Sequence, residues 1–254
     1  MNLFCMSDKS PKINKKPSTE KTTEDIDWQK PANCLNCYKK SNCSWCNLDE
    51  ESLREMNDIK ISNIYQPDQV IFYQGNTCNG IYCIEAGTVG IRKTGKDGNT
   101  ALVRILYSGD SLGYRSFFEQ TCYTGSAVAL SRCKICFLPD KDIKKMIVEN
   151  SEVASCFLRR IAQDLREAEE AKLQSTMSVR SRLVHLLLVL KEHYGSVAEN
   201  GDLIIKIPMS RQDMAEMIGS RPETIARAIK ALENDNVAFF DNRIVKIKDL
   251  DDLF

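Results

Sequence analysis

From Ile61 to Pro139 the apolar residues come in short alternating runs, QVIFYQG, GIYCIEAGTVGIRKTG, TALVRILYSGDSLGY and GSAVALSRCKICFLP, broken by glycine and asparagine. A period of two, bounded by turn formers, marks half-buried strands, and several such runs in series close into a sandwich or barrel. Gly75, Gly87 and Gly109 each punctuate a strand end, and Gly95 to Asn99 reads as a hairpin tip. Past Pro139 the period changes. One long helical stretch is predicted from about Asp140 to Met177, in which Ala154, Leu158, Ile161, Leu165 and Ala168 recur at spacings of four and three. So narrow a stripe, flanked by Arg, Glu and Lys, is a coiled-coil seam and predicts a homodimer helix through Leu158, Ile161, Leu165 and Ala168; the alternative is that it packs on the chain's own β domain.

A chain of 254 residues exceeds what one small domain needs, and 43% apolar with 28% charged residues is ordinary globular composition. No apolar run approaches the ~20 residues of a membrane span. The N-terminus MNLFCMSDKS lacks a basic segment followed by an apolar one, so a cytoplasmic location with no membrane contact is expected. Residues 1–33, rich in Lys, Ser, Thr, Glu and Pro, are expected to form a disordered tail. A cysteine-rich segment (34–47), a β sensor domain (48–148), the dimerisation helix (149–178) and a C-terminal module (179–254) follow. Formal net charge is zero, so any contact with nucleic acid must come from locally placed cations.

The segment MSRQDMAEMIGSRPETIARAIKALENDN, residues 209–236, supplies such cations. It reads as two helices joined by a tight turn: Ser210 caps the first, Gly219 makes the turn, and Pro222 fits the first position of the second, after a helix RSRLVHLLLVLKEHY that opens the module. Met214, Ala215, Ile218, Ile225, Ile229 and Leu232 have the spacing to pack the pair together, which leaves Glu223, Thr224, Ala226 and Arg227 toward DNA. An arginine fork suits guanine O6 and N7, and a glutamate accepts from cytosine N4. Arg211, Arg221 and Lys230, with Ser210, suit phosphate contacts. The competing reading is that Glu223 and Arg227 only pair with each other across one helical turn.

Eleven cysteines in a chain without an export signal point to metal binding or thiol chemistry rather than structural disulfides. Cys34, Cys37, Cys43 and Cys46 form C-x2-C-x5-C-x2-C, and soft sulfur donors that close together favour an iron-sulfur centre or zinc. Zinc ribbons separate their cysteine pairs by a longer loop, which ranks iron-sulfur above Zn2+. The two histidines, His185 and His193, share one predicted helix far from this segment.

In PETIAR, the preceding SRQDMAEMIG and the following hairpin pattern NVAFFDNRIVKIKD, the chain resembles the winged helix of the cAMP-receptor/fumarate-nitrate-reduction (CRP/FNR) regulators, and the likeness runs over roughly residues 34 to 248 in element order. The resemblance implies an α+β fold: an N-terminal β-roll (a cyclic-nucleotide-binding-like jelly roll), a long dimerisation helix and a C-terminal winged helix-turn-helix. It implies a dimeric transcription regulator on an inverted-repeat operator in double-stranded DNA, in contact with RNA polymerase if it activates. Glu223 and Arg227 match the family's E-x-x-S/G-R pair, with Ala226 in place of Ser or Gly. Pro222 stands where the cAMP-binding branch carries another base-reading arginine, which points to the FNR-like branch.

That branch resembles this chain in having C-x2-C-x5-C and one remote cysteine that together hold an oxygen-labile [4Fe-4S] cluster. The match carries three ligands onto Cys34, Cys37 and Cys43. The fourth falls on Cys136 in KICFLP, with Cys46 as the alternative and Cys133 and Cys122 as nearby competitors. Zinc, or a thiol switch, is the competing use of these cysteines. Cyclic nucleotide binders of this fold carry a glutamate and an arginine where this chain has Tyr114 and Gly125, so cAMP is not expected as a ligand; another small effector in the β-roll remains the alternative. No Walker loop, nucleophile elbow or paired-carboxylate signature stands out, and no enzyme is expected.

Overall fold

The computed structural model describes residues 27–30, 33–35, 37, 48–198 and 200–247. Most of the expected tail lies outside the described residues, and Cys43 and Cys46 lie outside them altogether. Helix α1 (Glu50–Ile59) starts at Asp49, whose carboxylate accepts the Ser52 N–H at 2.8 Å, and it buries Leu53 and Met56 together with the preceding Leu48.

The alternating segment forms β1 (Ile61–Tyr65), β2 (Val70–Phe72), β3 (Gly80–Ala86), β4 (Val89–Thr94), β5 (Thr100–Leu106) and β6 (Ser111–Leu112), then α2 (Tyr114–Glu119), β7 (Ser126–Ala129) and β8 (Cys133–Pro139). They make two four-stranded antiparallel sheets, β1-β8-β3-β6 and β2-β7-β4-β5. Ile84, Cys133 and Ile135 from the first meet Phe72, Val89 and Ala127 from the second in a shared core, which is how half-apolar strands hide one face. The turn at Gly87 (φ +94°) lies so close to β8 that a Cβ would sit 2.4 Å from the Arg132 carbonyl oxygen.

The outer face of the first sheet is covered by α1, α3 (Asp140–Glu149) and the start of α4 (Ser151–Gln174), through Ile81, Leu138, Ile143, Met146, Val153 and Phe157. The single helix expected from about Asp140 to Met177 is thus two helices. Asn150 is extended between them, its side chain accepts the Glu152 N–H (2.8 Å) and donates to Ser52 Oγ (2.7 Å), and the corner docks α3 flat on the sheet. The α4 stripe does not pack on its own β domain: Leu158 and Leu165 are 66% and 62% exposed and Ile161 and Ala168 are also exposed, while Val153, Cys156 and Phe157 face inward.

The C-terminal module consists of α5 (Val179–Tyr194), β9 (Gly195–Val197), β10 (Leu203–Lys206), α6 (Arg211–Met217), α7 (Pro222–Asn234), β11 (Ala238–Asp241) and β12 (Ile244–Ile247). The strands order as β11-β12-β10-β9, with the β11–β12 hairpin directly after α7. Leu183, Leu187 and Leu190 of α5 join Met214, Ile225 and Leu232 in one core. Among the described residues no helix is long and apolar enough to cross a membrane.

Candidate DNA interface and thiol site

Helices α6 and α7 take their places for local reasons. Ser210 Oγ accepts the Asp213 N–H (3.1 Å) while Asp213 Oδ2 accepts the Ser210 N–H (3.0 Å), a reciprocal cap that satisfies two otherwise free donors. Gly219 turns the chain at φ +61°, and Pro222 opens α7. Met214, Ala215, Ile218, Ile225, Ile229 and Leu232 are all buried as the spacing predicts, and Ala228 joins them.

The opposite side of α7 is exposed at Glu223, Ala226, Arg227 and Lys230; Thr224 is half-buried, and Ser210, Arg211 and Arg221 are exposed beside it. Among the described residues Glu223 and Arg227 make no ion pair with each other or with anything else. Both lie in the first two turns of α7, where a helix N-terminus favours approach to an anionic backbone.

Several thiols lie on or near the outer face of the first sheet of the β domain. Cys136 lies on the outer face of the first sheet, in a row across four strands with Ser62 on β1, Cys83 on β3 and Ser111 on β6. Ser62 Oγ is 3.8 Å from Cys136 Sγ, and Cys83 Sγ is 3.6 Å from Ser111 Oγ. Asp27, Trp28 and Cys34, among the described residues before α1, contact this part of the sheet and α1. The Cys34 N–H donates to Asn57 Oδ1 at 3.2 Å, Lys60 Nζ donates to the same oxygen, the Arg132 guanidinium stacks 4.4 Å from the Trp28 ring centre, and Lys134 Nζ donates to the Asp27 carbonyl at 3.1 Å.

The half-buried Cys34 thiol comes within electrostatic reach of Lys60, Cys37 and Glu85, and the Cys136 thiol within reach of Glu85, Cys34 and Lys60. Burial dominates both: it raises Cys34 above the usual thiol range and pushes Cys136 up to about 12. Cys133 faces the sandwich interior and its thiol donates to the Thr88 carbonyl (3.2 Å), and Cys122 is exposed in the loop after α2. Among the described residues no three ligand-type side chains converge tightly enough to hold a metal ion. Cys34, Cys37 and Cys136 offer sulfur donors, the chemistry a thiolate-held iron or zinc centre needs, with the Glu85 carboxylate and the Lys60 ammonium as charged neighbours of Cys34 and Cys136. Sequence reasoning had no use for Cys83, whose place beside Cys136 depends on the β3–β8 register.

Residues 63–150 match the cyclic nucleotide-binding domain family, and residues 181–253 match the Crp-like helix-turn-helix domain family. The chain belongs to the CRP/FNR family of transcription regulators. It is 22% identical over 214 residues to the transcriptional activator protein FnrL of Cereibacter sphaeroides, covering 83% of this chain and 85% of that one. It is 23% identical over 222 residues to the regulatory protein HlyX of Actinobacillus pleuropneumoniae, covering 87% and 92%. The structure of FixK2 from Bradyrhizobium japonicum superposes with a TM-score of 0.66 at 22% identity, covering 77% of this chain and 96% of that one, a likeness of fold.

In this CRP/FNR regulator the DNA-binding module is tied to the β-roll. Arg92 on β4 reaches Asp213 at 2.6 Å and Glu216 at 3.8 Å, and the Glu216 carboxylate accepts the Leu102 N–H of edge strand β5 at 2.8 Å. The Leu102 side chain is fully buried in the core of the DNA-binding module. Arg92 is 27% exposed and Asp213 11%, so these bonds are only partly screened by water. Arg92→Met strips two carboxylates of their cation and is expected to cost about 1–3 kcal/mol, read as a lower urea midpoint at pH 7. An unchanged midpoint would mean that the two domains stand independently of this contact.

Proposed function

We propose that this CRP/FNR regulator is a redox-responsive one: a homodimer formed along the Leu158, Ile161, Leu165 and Ala168 stripe that reads an inverted repeat through Glu223 and Arg227, and senses through a [4Fe-4S] cluster on Cys34, Cys37, Cys43 and Cys136. The observation that supports it is the placement of the Cys34 segment on the sheet face that carries Cys136, with the Cys34 N–H on Asn57 and the Asp27 carbonyl on Lys134 of β8. When bound, such a cluster supplies an oxidant-labile, thiolate-held link.

The chain's own residues define what the link joins. Polar and cation-π contacts with Asn57, Lys134 and Arg132, together with packing of Cys34 and Leu35 against the core under α1, hold the N-terminal segment. Cys34, Cys37 and Cys43 on one side and Cys136 on the other would hold the cluster, and so would fasten that segment to β8. The strand runs straight into α3, and the Asn150 corner joins α3 to α4. A cluster held at one end of this path would supply a tie whose loss could be felt at the dimer helix through β8, α3 and the Asn150 corner, a two-state coupling between distinct sites. The absence of a cyclic nucleotide from this scheme rests on Tyr114 and Gly125, which stand where nucleotide binders carry their charged anchors.

Protein purified without oxygen is expected to show a broad absorption near 400 nm that bleaches in air, with about four irons and four acid-labile sulfides per chain. Cys136→Ser is expected to lose most of that absorption, and Cys46→Ser to keep it. Stoichiometric zinc without iron would refute the cluster; loss of the band in Cys46→Ser alone would move the fourth ligand to Cys46.

A further inference from the structure

One carboxylate in the middle of α4 gathers cations from three parts of the chain. Asp164 is 7% exposed. It accepts from Arg104 of β5 (2.5 and 3.2 Å), from Arg115 of α2 (2.7 and 3.0 Å) and from the Tyr114 hydroxyl, and it pairs with Arg160 one turn earlier on its own helix (3.2 Å). Arg160 also holds Asp110 (2.9 Å), and Arg104 lies 3.6 Å from Glu167. Three guanidinium groups therefore face three carboxylates. Burial alone would raise the Asp164 pKa, but hydrogen bonds from Arg104, Tyr114 and Arg115 outweigh it and hold the group at about 2.

The position of this hub matters as much as its charge. Arg104, Tyr114 and Arg115 also line a cavity of about 340 Å3 in the β-roll, whose remaining wall includes Phe72, Ile91 and Tyr123. Unpaired arginines at the rim of such a cavity would make an anion site. Here the chain's own anion, Asp164, already pairs with Arg104 and Arg115, of which Arg115 stays half-exposed, while Lys93 lines the wall away from this hub. On the other side of α4, Asp164 immediately precedes Leu165 and follows Ile161 by three residues, so fixing its side chain fixes the rotation and height at which the exposed stripe is presented.

Resting on the dimeric reading above, we infer that Asp164 is a positioning residue that couples the β-roll to the dimer seam, filling with a side chain of the protein the place an anionic effector would take in the cavity. The seam is then set without any bound anion, and the β-roll of this regulator is closed to negatively charged ligands at its arginine end.

The test is Asp164→Asn in the full chain, with the dimer dissociation constant measured by sedimentation under anaerobic conditions. The expected result is a rise of about tenfold or more at unchanged far-ultraviolet circular dichroism, a coupling of ordinary allosteric size. Arg115→Gln removes one partner from the half-exposed rim without leaving a buried charge alone; a rise of about threefold or more there supports the inference even if Asp164→Asn does not fold. A folded Asp164→Asn with the wild-type constant overturns it, as does an unchanged constant in Arg115→Gln when Asp164→Asn is unfolded. Millimolar cyclic AMP is expected to leave the wild-type melting temperature unchanged, and an increase would overturn the closed arginine end. Because dimerisation is read without DNA, failure of the wild type to bind any inverted repeat would count against the proposed function alone.

Discussion

Arg227→Ala is expected to lower operator affinity by about 30-fold to more than 10,000-fold, the range from losing ~1–3 kcal/mol of base recognition at each of two half-sites. Arg227 is exposed near the N-terminus of α7 and has no competing ion pair among the described residues. The arginine therefore gives up no salt bridge on reaching DNA, and the whole interaction shows up as affinity. Lys230→Ala provides the contrast. Removing a phosphate-binding cation at both half-sites should weaken all sequences alike and flatten the slope of log affinity against log salt by about two. Equal reductions on operator and on random DNA for Arg227→Ala would show that Arg227 only positions the helix. The operator itself should carry half-sites centred about one helical turn, ~34 Å, apart.

The second large effect is expected in the seam. Leu165→Glu places a charge in the middle of a surface whose apolar side chains are otherwise in water, and a two-fold interface suffers each substitution twice. Burying a leucine contributes ~1.5–3 kcal/mol, and two carboxylates facing each other across a closed seam add a desolvation cost of several kcal/mol. The variant should therefore be monomeric at micromolar concentration, with operator binding reduced to that of a single half-site. Its monomer should fold normally, because Leu165 is 62% exposed and contributes little to the core of its own chain. A Leu165→Glu protein that sediments as a dimer would place the interface elsewhere.

Both effects were legible in the sequence because they depend on neighbours. The cap at Ser210, the turn at Gly219, the proline at the start of α7 and the buried set from Met214 to Leu232 are relations over a few residues, which one helical turn decides. The stripe on α4 is of the same kind, since a repeat of four and three places residues on one face whatever the rest of the chain does. What failed locally also had a local cause: Asn150 caps α4 through its side chain, and a residue equally ready to cap or to sit inside a polar helix does not announce the corner between α3 and α4.

Sequence alone determined the strand series, the paired helices of the C-terminal module, the exposed apolar stripe of α4 and the thiol-rich segment, because periodicity, capping and short-range spacing are properties of consecutive residues. Tertiary structure decided which distant groups meet. The β3–β8 register put Cys83 beside Cys136, and the bond from Lys134 to the Asp27 carbonyl laid the segment that holds Cys34 on the same sheet face. Docking of α6 on edge strand β5 gave Glu216 the Leu102 N–H, and Asp164 met Arg104 and Arg115 only because α4 packs along the β-roll. Long-range pairings of this sort follow from strand register and helix docking, which depend on burying the whole core at once, so no window of sequence contains them.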